Sequence, residues 1–164
     1  YFNDAIKDIQ NIVRIPSFAS KPEKDAPYGL AVKEVLEETL EICNKLGFKT
    51  YKDPENRYGY AEYGNGEKLF GIIGHLDVVP SGDLNKWDYP PFSGEIANNF
   101  LYGRGVLDDK GPTILNIYAI KYWMDQNWIP KTYKIRLIFG LTEETTWDSI
   151  DHYIKNEKVP DLGY

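Results

Sequence analysis

A chain of 164 residues, 42% of them hydrophobic, is long enough for one compact domain and apolar enough to give it a core. Its net charge of −6 argues against a general nucleic-acid surface, and no segment reads as a membrane span or a signal peptide. The single cysteine, Cys43, rules out an internal disulfide; it falls in an apolar helical stripe, which points to core packing and a reducing cytoplasm.

Phe2, Ala5, Ile6, Ile9, Ile12 and Val13 recur at helical spacing, and Pro16 stops that helix. Ser17 to Pro27, rich in Pro, Lys and Ser, reads as a loop. A second helix is predicted from Leu30 to Leu46, with Gly47 as its C′ residue. Phe48 to Tyr51 and Tyr58 to Tyr63 read as strands. Gly64-Asn65-Gly66 then turns the chain into Leu69-Phe70-Gly71-Ile72-Ile73, an apolar run that reads as a buried strand leading to His75. Pro80 to Pro91 is a candidate active-site loop, and Glu95 to Tyr102 a hairpin through Asn98-Asn99. A third helix follows Gly111 and carries Ile114, Leu115, Tyr118, Ala119 and Tyr122. Ile135 to Phe139 is another apolar strand, and Ser149 to Lys155 a short helix. Strands alternating with helices predict an α/β fold: a mixed, largely parallel central sheet with helices on both faces.

Three apolar stretches, each read as a strand, end in groups that can bind metal. The first ends in His75-Leu76-Asp77, where spacing by two puts imidazole and carboxylate on one side of an extended chain. A neutral imidazole can bind a metal through one nitrogen while a carboxylate holds the other N–H. The second ends in Asp108-Asp109-Lys110, adjacent like charges that need a positive neighbour, either Lys110 or a divalent metal. Capping of the following helix by Asp108 or Asp109 is compatible with ligation. The third ends in Glu143-Glu144; on extended chain these point opposite ways, so one could coordinate metal while the other faces a water. Carboxylates and imidazole converging on one sheet edge suit zinc, manganese or cobalt. The glycines around Arg104 have neither the GxGxxG spacing nor a GKS/T ending, which rejects nucleotide binding.

The order His-x-Asp, then Gly-Arg-Gly-x-x-Asp-Asp-Lys-Gly-Pro, then Glu-Glu resembles the zinc aminoacylase/carboxypeptidase superfamily, most closely its PepV-type dipeptidases and related carnosinases. Trp87, Pro90-Pro91-Phe92, Trp147 and the Arg14-Ile15-Pro16-Ser17 turn fit that branch. The resemblance implies a pair of co-catalytic divalent metals, zinc foremost, and hydrolysis of a dipeptide or small amide. It assigns His75 to one metal, Asp77 to orienting His75, Asp108 to bridging both metals, Glu143 as general base and Glu144 to the second metal. It also implies a cis peptide bond between Asp108 and Asp109. The family needs one more carboxylate and a C-terminal histidine; neither Asp161 nor the helical His152 matches those motifs. The chain is therefore expected to be the N-terminal portion of a catalytic domain, without the lid domain and C-terminal catalytic segment. A deacylase of N-acyl amino acids and a non-catalytic metal-binding fragment are the alternatives.

Overall fold

The computed structural model describes residues 1–164. Helix α1 (Phe2–Val13) buries Ala5, Ile9, Ile12 and Val13 of the predicted stripe and half-buries Ile6, while Phe2 at its first position is exposed. Helix α2 (Leu30–Lys45) ends as expected at Gly47, whose φ of 94° suits glycine. There Phe48 N–H donates to the Cys43 carbonyl and Gly47 N–H to that of Asn44, which closes the helix in a Schellman motif. Strands β1 (Lys49–Lys52), β2 (Gly59–Tyr63) and β3 (Lys68–His75) follow. A 3₁₀ turn at Leu84–Lys86 interrupts the Pro80–Pro91 loop. The hairpin β4 (Glu95–Ala97) and β5 (Phe100–Tyr102) turns at Asn98 and Asn99, both at positive φ. Helix α3 (Lys110–Asp125), strand β6 (Tyr133–Gly140), helix α4 (Asp148–Asn156) and the short strand β7 (Leu162–Gly163) complete the chain.

The central sheet has the order β1-β2-β6-β3-β7. The β1–β2 and β2–β6 pairings are antiparallel, while β6–β3 and β3–β7 are parallel, so the sheet is mixed. Alternation along β6 sends Ile135, Leu137 and Phe139 into the main core with residues of α1, α2 and α3. Ile138 points the other way, to Tyr58 and to Tyr153 of α4. Helices therefore cover both faces. β7 was not among the predicted elements, because a two-residue edge pairing carries no periodic signal. In the parallel pair, His75 stands level with Gly140, so β3 and β6 deliver the residues that follow them to the same end of the sheet. Open α/β sheets bind their ligands at such carboxyl ends.

Candidate metal centre

His75 is the last residue of β3 and is 8% exposed. Its Nε2 lies 2.9 Å from Asp108 Oδ1 and 3.8 Å from Glu143 Oε2. One ligand atom from each of His75, Glu143 and Glu144 falls within a 4.8 Å span. The three predicted segments thus meet at one end of the sheet, but Asp108 arrives on the irregular segment between β5 and α3 and not, as expected, at the end of a strand. The Asp108–Asp109 peptide bond is cis.

Burial opposes a charged His75, but Asp77 and Asp108 outweigh it and raise the imidazole pKa to about 9. Burial, and after it the charge of Asp108, raises the Glu144 carboxyl above the ordinary carboxylate value. This concentration of acids around one imidazole is an arrangement a divalent cation would relieve. The donors, one nitrogen with several carboxylate oxygens, suit zinc, manganese or cobalt.

Asp77 is 1% exposed and reaches further than the sequence implied. Its Oδ1 accepts from Glu143 N–H and its Oδ2 from Glu144 N–H, each at 3.1 Å. His75 Nδ1 lies 3.0 Å from the Asp77 carbonyl and 3.4 Å from its Oδ1. One carboxylate therefore touches all three of the other groups' supports: the imidazole and both glutamate backbones.

Glu143 and Glu144 lie in a turn and not on extended chain, which corrects the expectation that their side chains oppose one another. The Thr142 carbonyl accepts from the N–H groups of Thr145, Thr146 and Trp147, and this curls the segment so that both carboxylates face His75. Ser149 secures the turn from α4: its Oγ accepts from Leu141 N–H, and its N–H donates to Thr142 Oγ1.

A family model described as peptidase family M20/M25/M40 matches residues 71–162, more than half of the chain. The chain belongs to this peptidase family. It is 40% identical over 165 residues to a Bacillus subtilis (strain 168) protein named "Putative dipeptidase YtjP", covering 98% of this chain and 34% of that one. A Staphylococcus epidermidis protein named "Putative dipeptidase" is 38% identical, again with 34% of its length covered. The chain thus spans about a third of the length of these curated relatives. Among solved structures, the M20 metallo-carboxypeptidase Sso-CP2 from Sulfolobus solfataricus superposes with a TM-score of 0.79 at 26% identity, over 98% of this chain and 36% of that one. Human carnosine dipeptidase 1 superposes with a TM-score of 0.76 at 19% identity, over 93% and 35%, a likeness of fold. M20 membership establishes a peptidase-type hydrolase fold with metal-dependent relatives.

Lys110 and Asp109 of this M20 chain do not take the places expected from sequence, whereas His152 and Asp161 stay outside the centre as expected. Lys110 does not pair with the adjacent acids. It is fully buried and donates from Nζ to the carbonyls of Ile12 and Ile15, 2.8 and 2.7 Å away, at the end of α1. Burial lowers its pKa to about 7, against the opposing pull of Asp77. Asp109 is the N-cap residue of α3 but makes no side-chain capping bond. Ser17 donates from Oγ to the Leu76 carbonyl, and its own carbonyl accepts from Val78 N–H, so the Arg14–Ser17 turn grips the segment around Asp77. His152 lies on α4, 3.7 Å from Asp53, and Asp161 accepts from Leu69 N–H and pairs with Lys158; neither belongs to the centre. The roles of Ser149 and Ser17 leave no spacing signal, since each depends on contacts between distant segments. No helix is long and apolar enough to cross a membrane.

Proposed function

We propose that the intact protein carrying this chain is a metal-dependent dipeptidase, and that residues 1–164 form the N-terminal portion of its catalytic domain. The observation that carries this reading is the meeting of His75, Asp108, Glu143 and Glu144 at the carboxyl end of β3 and β6 in an M20 chain. In this reading His75, Asp108 and Glu144 would hold the divalent metals, zinc foremost. When bound, the metals supply Lewis-acid polarisation of the scissile carbonyl and a water of lowered pKa. Glu143 takes the proton of the attacking water and delivers it to the leaving amine. Asp77 orients His75 and holds the backbone of both glutamates. Lys110 is sealed beneath the centre, and the Thr142 hydroxyl is engaged by Ser149, so neither serves as a nucleophile. The names of the dipeptidase relatives support a small peptide as substrate, and the lone buried thiol of Cys43 supports a reducing, cytoplasmic setting.

The intact protein, stripped with chelator, is assayed after return of zinc, manganese or cobalt against dipeptides, longer peptides and N-acyl amino acids. Metal-dependent turnover led by dipeptides is expected. Preference for N-acyl amino acids, or full turnover without metal, would overturn the reading. Glu143→Ala should lower turnover by at least ~10²-fold, the low end for general acid–base catalysis, with metal content retained. Glu144→Ala should lose metal. The reverse pattern would exchange the two roles.

A further inference from the structure

Asp109 has no part in the reading above, yet its side chain is committed. We propose that Asp109 is a positioning residue that fixes His75 relative to Asp108, with Gly74 and Thr113 making the contact possible; the proposal rests on the metal-centre reading of these residues. Asp109 Oδ2 accepts from the backbone N–H of His75 and from Thr113 Oγ1, each at 3.1 Å. Asp109 therefore binds no backbone group of its own helix, only the Thr113 side chain. Its carboxylate makes no capping bond to α3, where a side-chain oxygen at this position ordinarily accepts from the first-turn N–H groups. It reaches across to β3 instead.

The choice of donor matters. Along one edge of β3, Ile73 N–H donates to the Tyr164 carbonyl. His75 N–H, two residues on and pointing the same way, is taken by the Asp109 carboxylate. The residue just before Asp109 meets the same histidine at its other end, Asp108 Oδ1 standing 2.9 Å from Nε2. Two consecutive aspartates thus hold His75 at both its backbone and its ring. Thr113, one helical turn along α3, supplies the second bond that sets the Asp109 carboxylate in place.

Gly74 is the third part. A Cβ there would lie 2.3 Å from Thr113 Oγ1 and 3.0 Å from Asp109 Oδ2. Glycine at this position leaves room for the Thr113 hydroxyl and the Asp109 carboxylate beside β3, where an added Cβ would press on both. The mechanism is therefore geometric: the segment leading into α3 carries Asp108, β3 carries His75, and the Asp109 bond sets the distance between them. Supporting residues of this kind ordinarily change metal affinity by ~10–100-fold when removed.

The test uses the intact protein and reads zinc affinity by competition with a chromophoric chelator, together with the visible spectrum of the cobalt-substituted form. Asp109→Ala should weaken zinc by at least ~10-fold and shift the cobalt bands. Asp109→Asn keeps one oxygen for His75 N–H and should restore most of the affinity. Gly74→Ala should resemble Asp109→Ala. Ile114→Val, a core substitution on α3 away from the contact, controls for lost stability and should leave affinity unchanged. His75→Ala tests the underlying reading separately: if it leaves zinc affinity unchanged, the metal-centre reading fails and the proposal with it. If His75→Ala abolishes binding while Asp109→Ala stays within twofold of the parent, the centre stands and the positioning role is refuted. Equal weakening by Ile114→Val and Asp109→Ala would likewise refute it.

Discussion

Removing the Asp77 carboxylate tests the link between the ends of β3 and β6. The side chain is 1% exposed and accepts two backbone N–H groups, from Glu143 and Glu144, at 3.1 Å each. A hydrogen bond to a charged group contributes about 1.5–3 kcal/mol net. Both donors are only part-buried, so water can replace some of the loss and the lower figure applies to each. Asp77→Ala should then cost about 3 kcal/mol, twice the low-end bond contribution. Asp77→Asn retains one acceptor and turns its NH₂ toward the other donor, so it should cost about half as much, on the same per-bond figure. Urea denaturation of the chelator-treated protein measures this without the added contribution of bound metal. The midpoint should fall in the order parent, Asn, Ala, with the slope unchanged. A loss below ~0.5 kcal/mol for Asp77→Ala, the range of an unremarkable surface change, would show that these bonds do not hold the glutamate turn.

The metal-free protein should lose a stabilising contribution from His75 as pH rises. The folded pKa of about 9 lies above the ordinary 6.5, so this contribution is complete below pH 6.5 and gone above about 9. The shift corresponds to at most about 3–4 kcal/mol, and because Asp108 is 74% exposed, screening brings it to about 1–2 kcal/mol. Lys110, with its pKa lowered to about 7, works in the opposite direction above that pH, so the measurement is the stability difference between the parent and His75→Gln from pH 6 to 10; a difference that does not shrink would refute the assignment. Gly111→Ala would put a Cβ 2.0 Å from the Val106 carbonyl oxygen; a loss of about 1–3 kcal/mol with weaker metal uptake is expected, and parent-like behaviour in both would count against close packing beneath Asp108. Residues 1–164 alone should show little peptidase activity and incomplete metal binding, because the assignment leaves each metal two recognised protein ligands where catalytic zinc ordinarily has three and a water. Two tightly held metals and parent-like turnover would mean that ligands within the chain have gone unrecognised.

Much of the fold is legible because burial on one face imposes a local period. The α1 stripe ends at Val13 as predicted, and the apolar runs before His75 and Glu143 are strands of one sheet. The boundaries differ from expectation by one residue at the C-terminal end of α2 and at both ends of α4, where capping and not periodicity decides. His75 and Glu143-Glu144 are legible for a related reason, since each follows a buried strand of the sheet and strand ends are where polar groups emerge; Asp108 instead lies in the irregular segment between β5 and α3, just after the exposed Leu107. The orientation of the glutamates was not legible, because it depends on a turn closed by the Thr142 carbonyl and on Ser149 from the next helix.

The sequence by itself determined the four helices, the longer strands and the reactive groups they carry toward the site, since hydrophobic period and residue type are properties of neighbouring positions. Only the tertiary structure decided what those groups do to one another. Asp77 reaches Glu143 and Glu144 across more than sixty residues, Asp109 reaches His75 across thirty-four, and Lys110 turns away from the acids beside it to the end of α1. A buried hydrogen-bonding group takes the nearest partner in space, and packing brings together partners that the order of the chain keeps apart.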